Sequence, residues 1–347
     1  MSIIQMTPNN NDRVSILGFT DDQRDAYNKL IEFINDDYDE NKDNRYALIG
    51  PAGTGKTYLV KALIKNCKLS YSTIKLAAPT HKAARILQNS INLPQVKVNT
   101  LQSDLGLKPN YDNQKFDINN PPFDPRGKIK INKDIKFYIV DEASMINRSL
   151  QMLLEKVCRK DKVKILYIGD ASQLPPVNEY YSPALKAVNT CVLKQIVRQE
   201  EDNPIVPLLE LLRNGVKNKT FTFLNYNAKN PEQFDNGNIK GYKVCNPKEF
   251  NNLVYTYFSD DALTKDVDFC KIIAYTNGCV ETWNKFVRSV IIKDADTSIL
   301  TKNDLLLGYT TIVNQFNEAV IKNSEEYIIN DIANYTHPQY AFKGFLV

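Results

Sequence analysis

The sequence predicts an α/β fold in which a parallel β-sheet is covered by helices on both faces. Short apolar runs such as FYIV and KILYIG are followed by segments whose apolar residues recur at helical spacing. This alternation repeats along the first half of the chain, and it is typical of parallel sheets with strands buried on both faces. A glycine-rich turn between the first predicted strand and its helix is a third, independent indication.

The composition indicates a globular protein with room for two packed domains. Of 347 residues, 43% are hydrophobic and 24% are charged. Lys and Arg number 44 against 40 Asp and Glu, so any basic surface for nucleic acid has to be local. The six cysteines form no CxxC pair and there are only two histidines, which disfavours a zinc site and favours reduced thiols in the cytoplasm. Neither a secretion signal nor a run of apolar residues long enough for a membrane span is present, so we expect no membrane partner.

The elements of a first domain follow one another over residues 18–194, after an Asn-rich tail over residues 1–17. Thr20 is a predicted N-cap, acidic residues follow it, and apolar residues then recur at helical spacing. The predicted helices are TDDQRDAYNKLIEFIND, GKTYLVKALIKN, HKAARILQNS and RSLQMLLEKVCRK. The predicted strands that alternate with them are RYALIG, TIKLAAP, IKFYIVD and VKILYIGD.

Later segments depart from this alternation. Residues 107–134 carry several prolines and the basic run RGKIKINKDIK, which predicts a hairpin insertion in the first domain. A second, partial domain is predicted over residues 195–299, where CKIIAYTN has the pattern of a strand and GCVETWNKFVRSVII that of a helix. Short β-like runs follow over residues 300–347.

The stretch GPAGTGKT matches the phosphate-binding Walker A pattern in full. It lies between a predicted strand and a predicted helix, where glycines let backbone N–H groups face an anion and the helix N-terminus adds its positive end. A chance glycine-rich turn is the alternative, and this context disfavours it. Lys56 is expected to reach the β- and γ-phosphates of ATP, and Thr57 to offer its hydroxyl to Mg²⁺. The predicted nucleotide ligands are Gly50, Pro51, Ala52, Gly53, Thr54, Gly55, Lys56 and Thr57.

Two acidic residues, Asp141 and Glu142, follow the apolar run FYIV. ATP hydrolysis needs such carboxylates opposite the phosphate loop. We assign Asp141 to Mg²⁺ and Glu142 to the general base that polarises the attacking water. A DE pair alone is often a solvated loop, but its place at the end of a buried strand favours the catalytic interpretation.

Four motifs in order, GPAGTGKT, APTHKAA, VDEASM and GDASQLPPV, resemble those of superfamily 1 helicases. The likeness extends over about residues 18–290 and is greatest for the 5′-to-3′ branch, the RecD-like helicases and the Dda-like helicases of tailed phages. It implies P-loop, RecA-like domains, with a hairpin insertion in the first and the start of a small β-barrel insertion in an incomplete second. It also implies ATP and Mg²⁺ as cofactors, and the host cytoplasm as location if the chain is phage-encoded.

The resemblance assigns roles to three further residues. Gln173 of GDASQLPPV matches a glutamine that senses the γ-phosphate, and its uncharged amide both donates and accepts hydrogen bonds. Gln23 of GFTDDQRDA matches an adenine-reading glutamine, with an ordinary exposed helical glutamine as the alternative. Arg198 of IVRQEEDNPI matches an arginine that neutralises charge during phosphoryl transfer, with a surface arginine as the alternative.

The resemblance also implies a track for single-stranded DNA. In VNTLQSDLG, Gln102 stands where the family often has histidine. Phe116 is the candidate tip of a wedge hairpin, because aromatic rings stack on bases. A core aromatic is the alternative for Phe116, and a core histidine for His81. The predicted strand contacts are Pro79, Thr80, His81 and Thr100 in the first domain, and Thr276, Asn277 and Asn284 in the second.

We expect an ATP-dependent DNA helicase that moves 5′ to 3′ on single-stranded DNA. Two later family motifs, H-K-x-Q-G and a TR motif with a second phosphate-sensing arginine, do not occur. Truncation, a split gene and a decayed copy are the alternative explanations for their absence. A monomer is expected, with replication or recombination proteins as candidate partners. The rival interpretation is a truncated, non-motor relative that binds ATP and single strands as a recruitment or structural protein. DNA and RNA are not distinguished by these residues, and GDASQLPPV and APTHKAA disfavour a small-molecule kinase.

Overall fold

The chain forms two compact units, which the density of contacts divides between Leu224 and Asn225. The sequence places the boundary near residue 195, so the first unit includes one helix more than expected. The computed structural model describes residues 16–109, 123–125, 131, 134–197, 203–237, 240–260, 262–266, 268–292, 299–308, 312–313, 319–321, 325–336 and 343–346.

The first unit contains the helices and strands that alternate in the sequence. Its helices are α1 (Asp21–Asn35), α2 (Lys56–Asn66), α3 (His81–Ile91), α4 (Leu101–Asp104), α5 (Arg148–Lys160) and α6 (Ile205–Asn218), and α7 (Thr222–Lys229) crosses the boundary. Its strands are β1 (Arg45–Ile49), β2 (Ile74–Ala78), β3 (Val98–Thr100), β4 (Leu107–Pro109), β5 (Phe123–Pro125), β6 (Phe137–Val140), β7 (Lys164–Gly169) and β8 (Asn189–Val192).

Six of these strands form one parallel sheet in the order β3-β2-β6-β7-β1-β8. All residues of β6 and β7 are buried, as expected for strands covered on both faces. Ile49 pairs with Gly169, and Val140 pairs with Tyr167, so β1, β7 and β6 end side by side. The loops that follow these three strands therefore start at the same edge of the sheet.

Two apolar layers pack on the two faces of this sheet. Successive residues of β7 alternate between them, with Leu166 in one layer and Tyr167 in the other. The first layer contains Leu30, Leu59 and other apolar residues of α1, α2 and α3. The second contains Leu154 and its neighbours on α5. The predicted α/β fold of the first unit, with helices on both faces of a parallel sheet, is confirmed.

The predicted insertion, residues 107–134, begins with an antiparallel pair of strands, β4 and β5. Leu107 of β4 lies opposite Pro125 of β5, which is the register of a hairpin stem. Residues 110–122, which include the predicted wedge residue Phe116, lie outside the described residues.

The second unit consists of helices and two-stranded antiparallel ladders. Trp283 is its aromatic centre, with edge-to-face contacts to Phe250 and Phe286 at centroid distances of 5.2 and 5.7 Å. Among the described residues of this unit, the ladders are β9-β10, β11-β14, β12-β13 and β15-β16. The helices are α8 (Pro247–Phe258), α9 (Ala262–Lys265) and α10 (Asn277–Ile291), and the strands are β9 (Glu232–Phe234), β10 (Gly241–Lys243), β11 (Leu305–Leu307), β12 (Ile312–Val313), β13 (Ala319–Ile321), β14 (Glu326–Ile328), β15 (Ala333–Thr336) and β16 (Lys343–Leu346).

One predicted element of the second unit is not formed. The run CKIIAYTN has the apolar pattern of a strand, yet residues 270–276 belong to no strand. Ile273 and Tyr275 are 96% and 102% exposed. No strand among the described residues pairs with this run, so its apolar side chains lack the neighbours that would bury them. Within the described ranges, the helices are too short or too polar to cross a membrane.

Candidate nucleotide site and strand-binding surface

The Walker A loop connects the end of β1 to the start of α2. Gly53 and Gly55 have φ angles of +84° and +76°, a backbone region that glycine adopts without strain. A Cβ atom on Gly55 would lie 2.5 Å from Nε2 of Gln23, so another residue there would displace the amide of Gln23. The N–H of Gly50 donates to the carbonyl of Gly169 at 3.1 Å, which ties the loop to the end of β7. The loop thus has the curled backbone that phosphate binding requires.

Lys56 lies at the first position of α2 and turns back onto its own loop. Its Nζ donates to the carbonyl oxygens of Gly50 and Pro51 at 2.7 and 2.8 Å. Burial lowers the pKa of Lys56, while the nearby carboxylates of Asp170, Asp141 and Glu142 act in the opposite direction. A phosphate would give this ammonium a charged acceptor in place of two neutral carbonyls, and such hydrogen bonds are stronger.

Asp141 and Glu142 follow β6, where the sequence places the catalytic acids. The N–H of Asp141 continues the sheet by donating to the carbonyl of Ala77 at 2.9 Å. Glu142 has φ +51° and ψ 38°, the left-handed region that residues other than glycine rarely adopt. Backbone strain of this kind is often retained at functional sites.

Burial raises the pKa of both acids. For Asp141 the hydrogen bond from the Glu142 N–H and the Lys56 charge oppose this rise, and for Glu142 the negative charge of Asp141 adds to it. Both residues are half-buried, and a cation would stabilise their two neighbouring carboxylates. Hydroxyl and carboxylate oxygens are the ligands that Mg²⁺ prefers, so Thr57 and Asp141 fit the predicted metal site.

A third acid of the site was missed by the sequence analysis. Asp170 directly follows β7 and is 6% exposed. Among the nearby carboxylates it has the largest raising effect on the pKa of Lys56. Its Oδ1 accepts from the Ser172 N–H at 2.9 Å. Its position at the end of an apolar strand is the same signal that identified Asp141. The site also lies near Arg213 of α6, whose positive charge lowers the pKa of Lys56.

Gln173 lies in the loop after β7, next in the sheet to the strand that carries Asp141. Its backbone N–H donates to the carbonyl of Asp170 at 3.1 Å, and its side chain is exposed. Leu174 beside it is 82% exposed, whereas Pro176 is buried. The amide is therefore accessible at the edge of the nucleotide site, and its sensing role stays a prediction.

Gln23 is buried beneath the Walker A loop, with 3% exposure. Its Nε2 donates to the carbonyl of Thr54 at 2.8 Å, and its Oε1 accepts from the Thr20 N–H at 3.1 Å in a capping box. The alternative interpretation, an ordinary exposed glutamine on a helix, is therefore wrong. The adenine-reading role stays a prediction. It requires the Gln23 amide to give up these hydrogen bonds and to form hydrogen bonds with adenine instead.

The three predicted strand-contacting threonines share one structural position. Thr80, Thr100 and Thr276 are the N-caps of α3, α4 and α10, and each hydroxyl oxygen accepts a backbone N–H at 3.2 Å. Such a hydroxyl still has its proton to donate to a phosphate. Thr100 is 6% exposed, so it is less accessible to a phosphate than Thr80, which is half-buried.

The strand-contact residues of the first unit lie at one end of neighbouring strands. β2 and β3 pair with Ala78 opposite Thr100, which brings the loops of Thr80 and Thr100 together. Pro79 is half-buried, and His81 is exposed at the start of α3 rather than in the core.

The strand-contact residues of the second unit lie along α10. Asn277 starts this helix and Asn284 follows seven residues later, so the two share one face. Both are exposed, as is Thr276. Arg198 lies outside the described residues, which reach Val197 on its N-terminal side.

Residues 20–229 match the family model described as AAA domain. Over 340 residues the chain is 26% identical to an uncharacterised protein of Acanthamoeba polyphaga mimivirus, a match that covers 92% of this chain and 65% of the relative. It is 27% identical over 307 residues to the ATP-dependent DNA helicase dda of Enterobacteria phage T4, covering 85% and 61%. It is 32% identical over 174 residues to the ATP-dependent RecD2 DNA helicase of Deinococcus radiodurans, covering 48% and 21%.

The chain spans less than two thirds of the length of each of these relatives. Among solved structures, the Pif1 helicase from Candida albicans matches 91% of this chain and 69% of its own, with a TM-score of 0.51 and 15% identity, a likeness of fold alone. The chain belongs to the AAA domain family, and its relatives confirm the predicted likeness to superfamily 1B helicases of the Dda and RecD type.

Proposed function

We propose that this protein is an ATP-driven superfamily 1 motor that moves 5′ to 3′ on single-stranded DNA and separates strands. The observation that carries the proposal is the common edge of the parallel sheet. The Walker A loop, Asp141 with Glu142, and the Gln173 loop follow β1, β6 and β7, which are neighbours. The threonine caps Thr80 and Thr100 follow β2 and β3, which continue the same sheet.

In this proposal the residues divide the work of hydrolysis. The loop amides and Lys56 bind the phosphates, and Thr57 and Asp141 hold Mg²⁺, which neutralises charge on the phosphates when bound. Glu142 accepts the proton of the attacking water, a role favoured by its raised pKa. Arg198 stabilises the charge that develops on the γ-phosphate.

Coupling to the strand requires that the same edge senses both ligands. Gln173 reports the state of the γ-phosphate, and Thr80 and Thr100 in one unit alternate with Thr276, Asn277 and Asn284 in the other in gripping the strand. The direction of movement rests on the resemblance to the 5′-to-3′ branch. The likeness to helicases named for DNA supports DNA as the substrate, and monomeric action with replication or recombination partners belongs to the same proposal.

The test is ATP hydrolysis by the full chain with and without a single-stranded DNA oligonucleotide, at one salt concentration because phosphate contacts are salt-sensitive. We expect stimulation by DNA, and unwinding of a duplex with a 5′ tail but not of one with a 3′ tail. Lys56→Ala is the control and should lower hydrolysis by about a hundredfold or more, the range for loss of one charge-stabilising donor.

Three outcomes would change the proposal. Unwinding from the 3′ tail would reverse the direction, and equal stimulation by RNA of the same sequence would widen the substrate class. Binding of ATP and of single strands without stimulated hydrolysis would favour the non-motor relative.

A further inference from the structure

The first turn of α1 carries a carboxylate that binds a segment distant in sequence. Oδ2 of Asp22 accepts from the backbone N–H groups of Lys194 and Gln195 at 2.6 and 3.0 Å. Oδ1 accepts from the Gln23 N–H at 2.9 Å and from the Thr20 hydroxyl. One half-buried carboxylate thus receives hydrogen bonds from its own helix start and from the chain that follows β8.

The segment that Asp22 holds, residues 193–197, lies against the Walker A loop on both sides of this contact. The Leu193 N–H donates to the carbonyl of Ile49 at 2.8 Å, and the Leu193 carbonyl lies 2.9 Å from the place where a Cβ on Gly50 would be. The Val197 N–H donates to the carbonyl of Gly53 at 2.9 Å, at the tip of the loop. Asp22 therefore holds the middle of a segment whose two ends contact the phosphate-binding loop.

Helix capping alone does not account for this arrangement. A capping acid interacts with the N–H groups and the positive end of its own helix, and Asp21 occupies the same turn in an exposed position. The contacts to Lys194 and Gln195 are extra. Burial raises the pKa of Asp22, but its hydrogen bonds lower it further than that, so the carboxylate is held in its charged form.

We propose that Asp22 is a positioning residue that fastens residues 194–195 so that the Val197 N–H stays on the Gly53 carbonyl and the Walker A loop keeps its phosphate-binding shape. The inference rests on the proposed function only in taking this loop as the nucleotide site. Because the two are linked, nucleotide binding and the order of the segment stabilise each other. Gln23, next to Asp22, also contacts the loop, through a hydrogen bond to the Thr54 carbonyl. The same segment leads directly into Arg198 in the sequence.

The experiment is hydrogen exchange resolved to single amides in the full chain, for the parent, Asp22→Asn and Asp21→Asn. In Asp22→Asn we expect the amides of Lys194 and Gln195 to exchange about tenfold faster or more, because a charged acceptor is lost. Asp21→Asn removes the same charge from the same helix turn and should exchange like the parent. Asp22→Ser, which keeps a side-chain oxygen at the start of the helix but is too short to reach the segment, is a second variant if the first fails to fold.

The second measurement uses Mg·ADP as the probe. In the parent, Mg·ADP should slow exchange at Val197, and in Asp22→Asn this protection and the affinity for Mg·ADP should both fall by about fivefold, a usual size for coupling between sites. A purely structural role would lower the melting temperature without changing the protection that ADP provides.

Equal exchange at Lys194 and Gln195 in Asp22→Asn and Asp21→Asn would overturn the proposal, as would undiminished protection of Val197 by ADP. A parent that binds no Mg·ADP would instead overturn the proposed function. Exchange in the nucleotide-free proteins would then still decide the role of Asp22.

Discussion

The two units of this protein differ in how fully they bury their apolar residues. In the first, β6 and β7 are buried at every position and apolar layers cover both faces of the sheet. In the second, Val254 and Ile329 are the only buried apolar side chains among the residues described, and the ladders are two-stranded. A two-stranded ladder has two edges and little area to cover, so it is only marginally stable by itself.

The comparison teaches where the precise geometry of the site comes from. Phosphate chemistry requires groups held to within fractions of an ångström. In the first unit the candidate groups, namely the Walker A loop, Asp141 with Glu142 and the Gln173 loop, follow neighbouring strands of one buried sheet. The predicted strand contacts of the second unit lie instead at exposed positions along α10 and at its N-cap. The first unit is therefore expected to determine nucleotide binding, and the second to contribute chiefly to strand binding.

The largest effect is expected from Glu142→Gln, which tests whether the first unit holds the catalytic base. The amide cannot accept a proton, so hydrolysis should fall by about 10²–10⁴-fold, while the phosphates keep all their contacts. Single-turnover hydrolysis and the affinity for ATP are the measurements. Loss of ATP affinity together with turnover would contradict the role as base.

Leu48→Ala tests the core of the first unit. Leu48 is fully buried in β1, and a cavity there should lower the free energy of unfolding by about 2–5 kcal/mol. Trp283, the single tryptophan, lies in the second unit, so its fluorescence follows that unit while circular dichroism follows both. If the fluorescence transition in urea moves as far as the dichroism transition, the two units unfold together and the comparison fails.

Gln173→Ala tests the link from phosphate to strand. The binding free energy of ATP should change by no more than about 0.5–1.5 kcal/mol, which is the net contribution of one neutral hydrogen bond. Stimulation of hydrolysis by single-stranded DNA should fall about fivefold or more, because coupling energies are typically about 1–3 kcal/mol. The measurement is the hydrolysis rate against oligonucleotide concentration, and equal stimulation of parent and variant would refute the sensing role.

The smallest effect is expected from Ile273→Ser, the matched opposite of Leu48→Ala. Ile273 is 96% exposed, so its loss should change the free energy of unfolding by less than about 0.5 kcal/mol. Urea denaturation followed by tryptophan fluorescence measures it in the unit where it lies. A destabilisation of several kcal/mol would show that Ile273 is buried in solution.

Much of the first unit could be predicted from the sequence because the signals are local. The continuous apolar run of β7 and the helical spacing of the apolar residues in α1 reflect the geometry of each element, and the prediction of both is confirmed. The short strand β8 was not predicted. Its four residues include exposed ones, and it is a strand because β1 beside it leaves one edge to pair. The run at residues 270–276 shows the reverse, a strand pattern without a described strand beside it.

By itself the sequence determined the glycine-rich loop, the acids after β6 and the alternation of strands and helices, since each depends on residues a few positions apart. Only the tertiary structure decided that Gln23 supports the Walker A loop and that Asp22 binds the chain after β8. These contacts join residues far apart in sequence. They arise because packing the sheet leaves particular N–H and carbonyl groups without a backbone partner, and a buried polar group must find one wherever the fold brings it near.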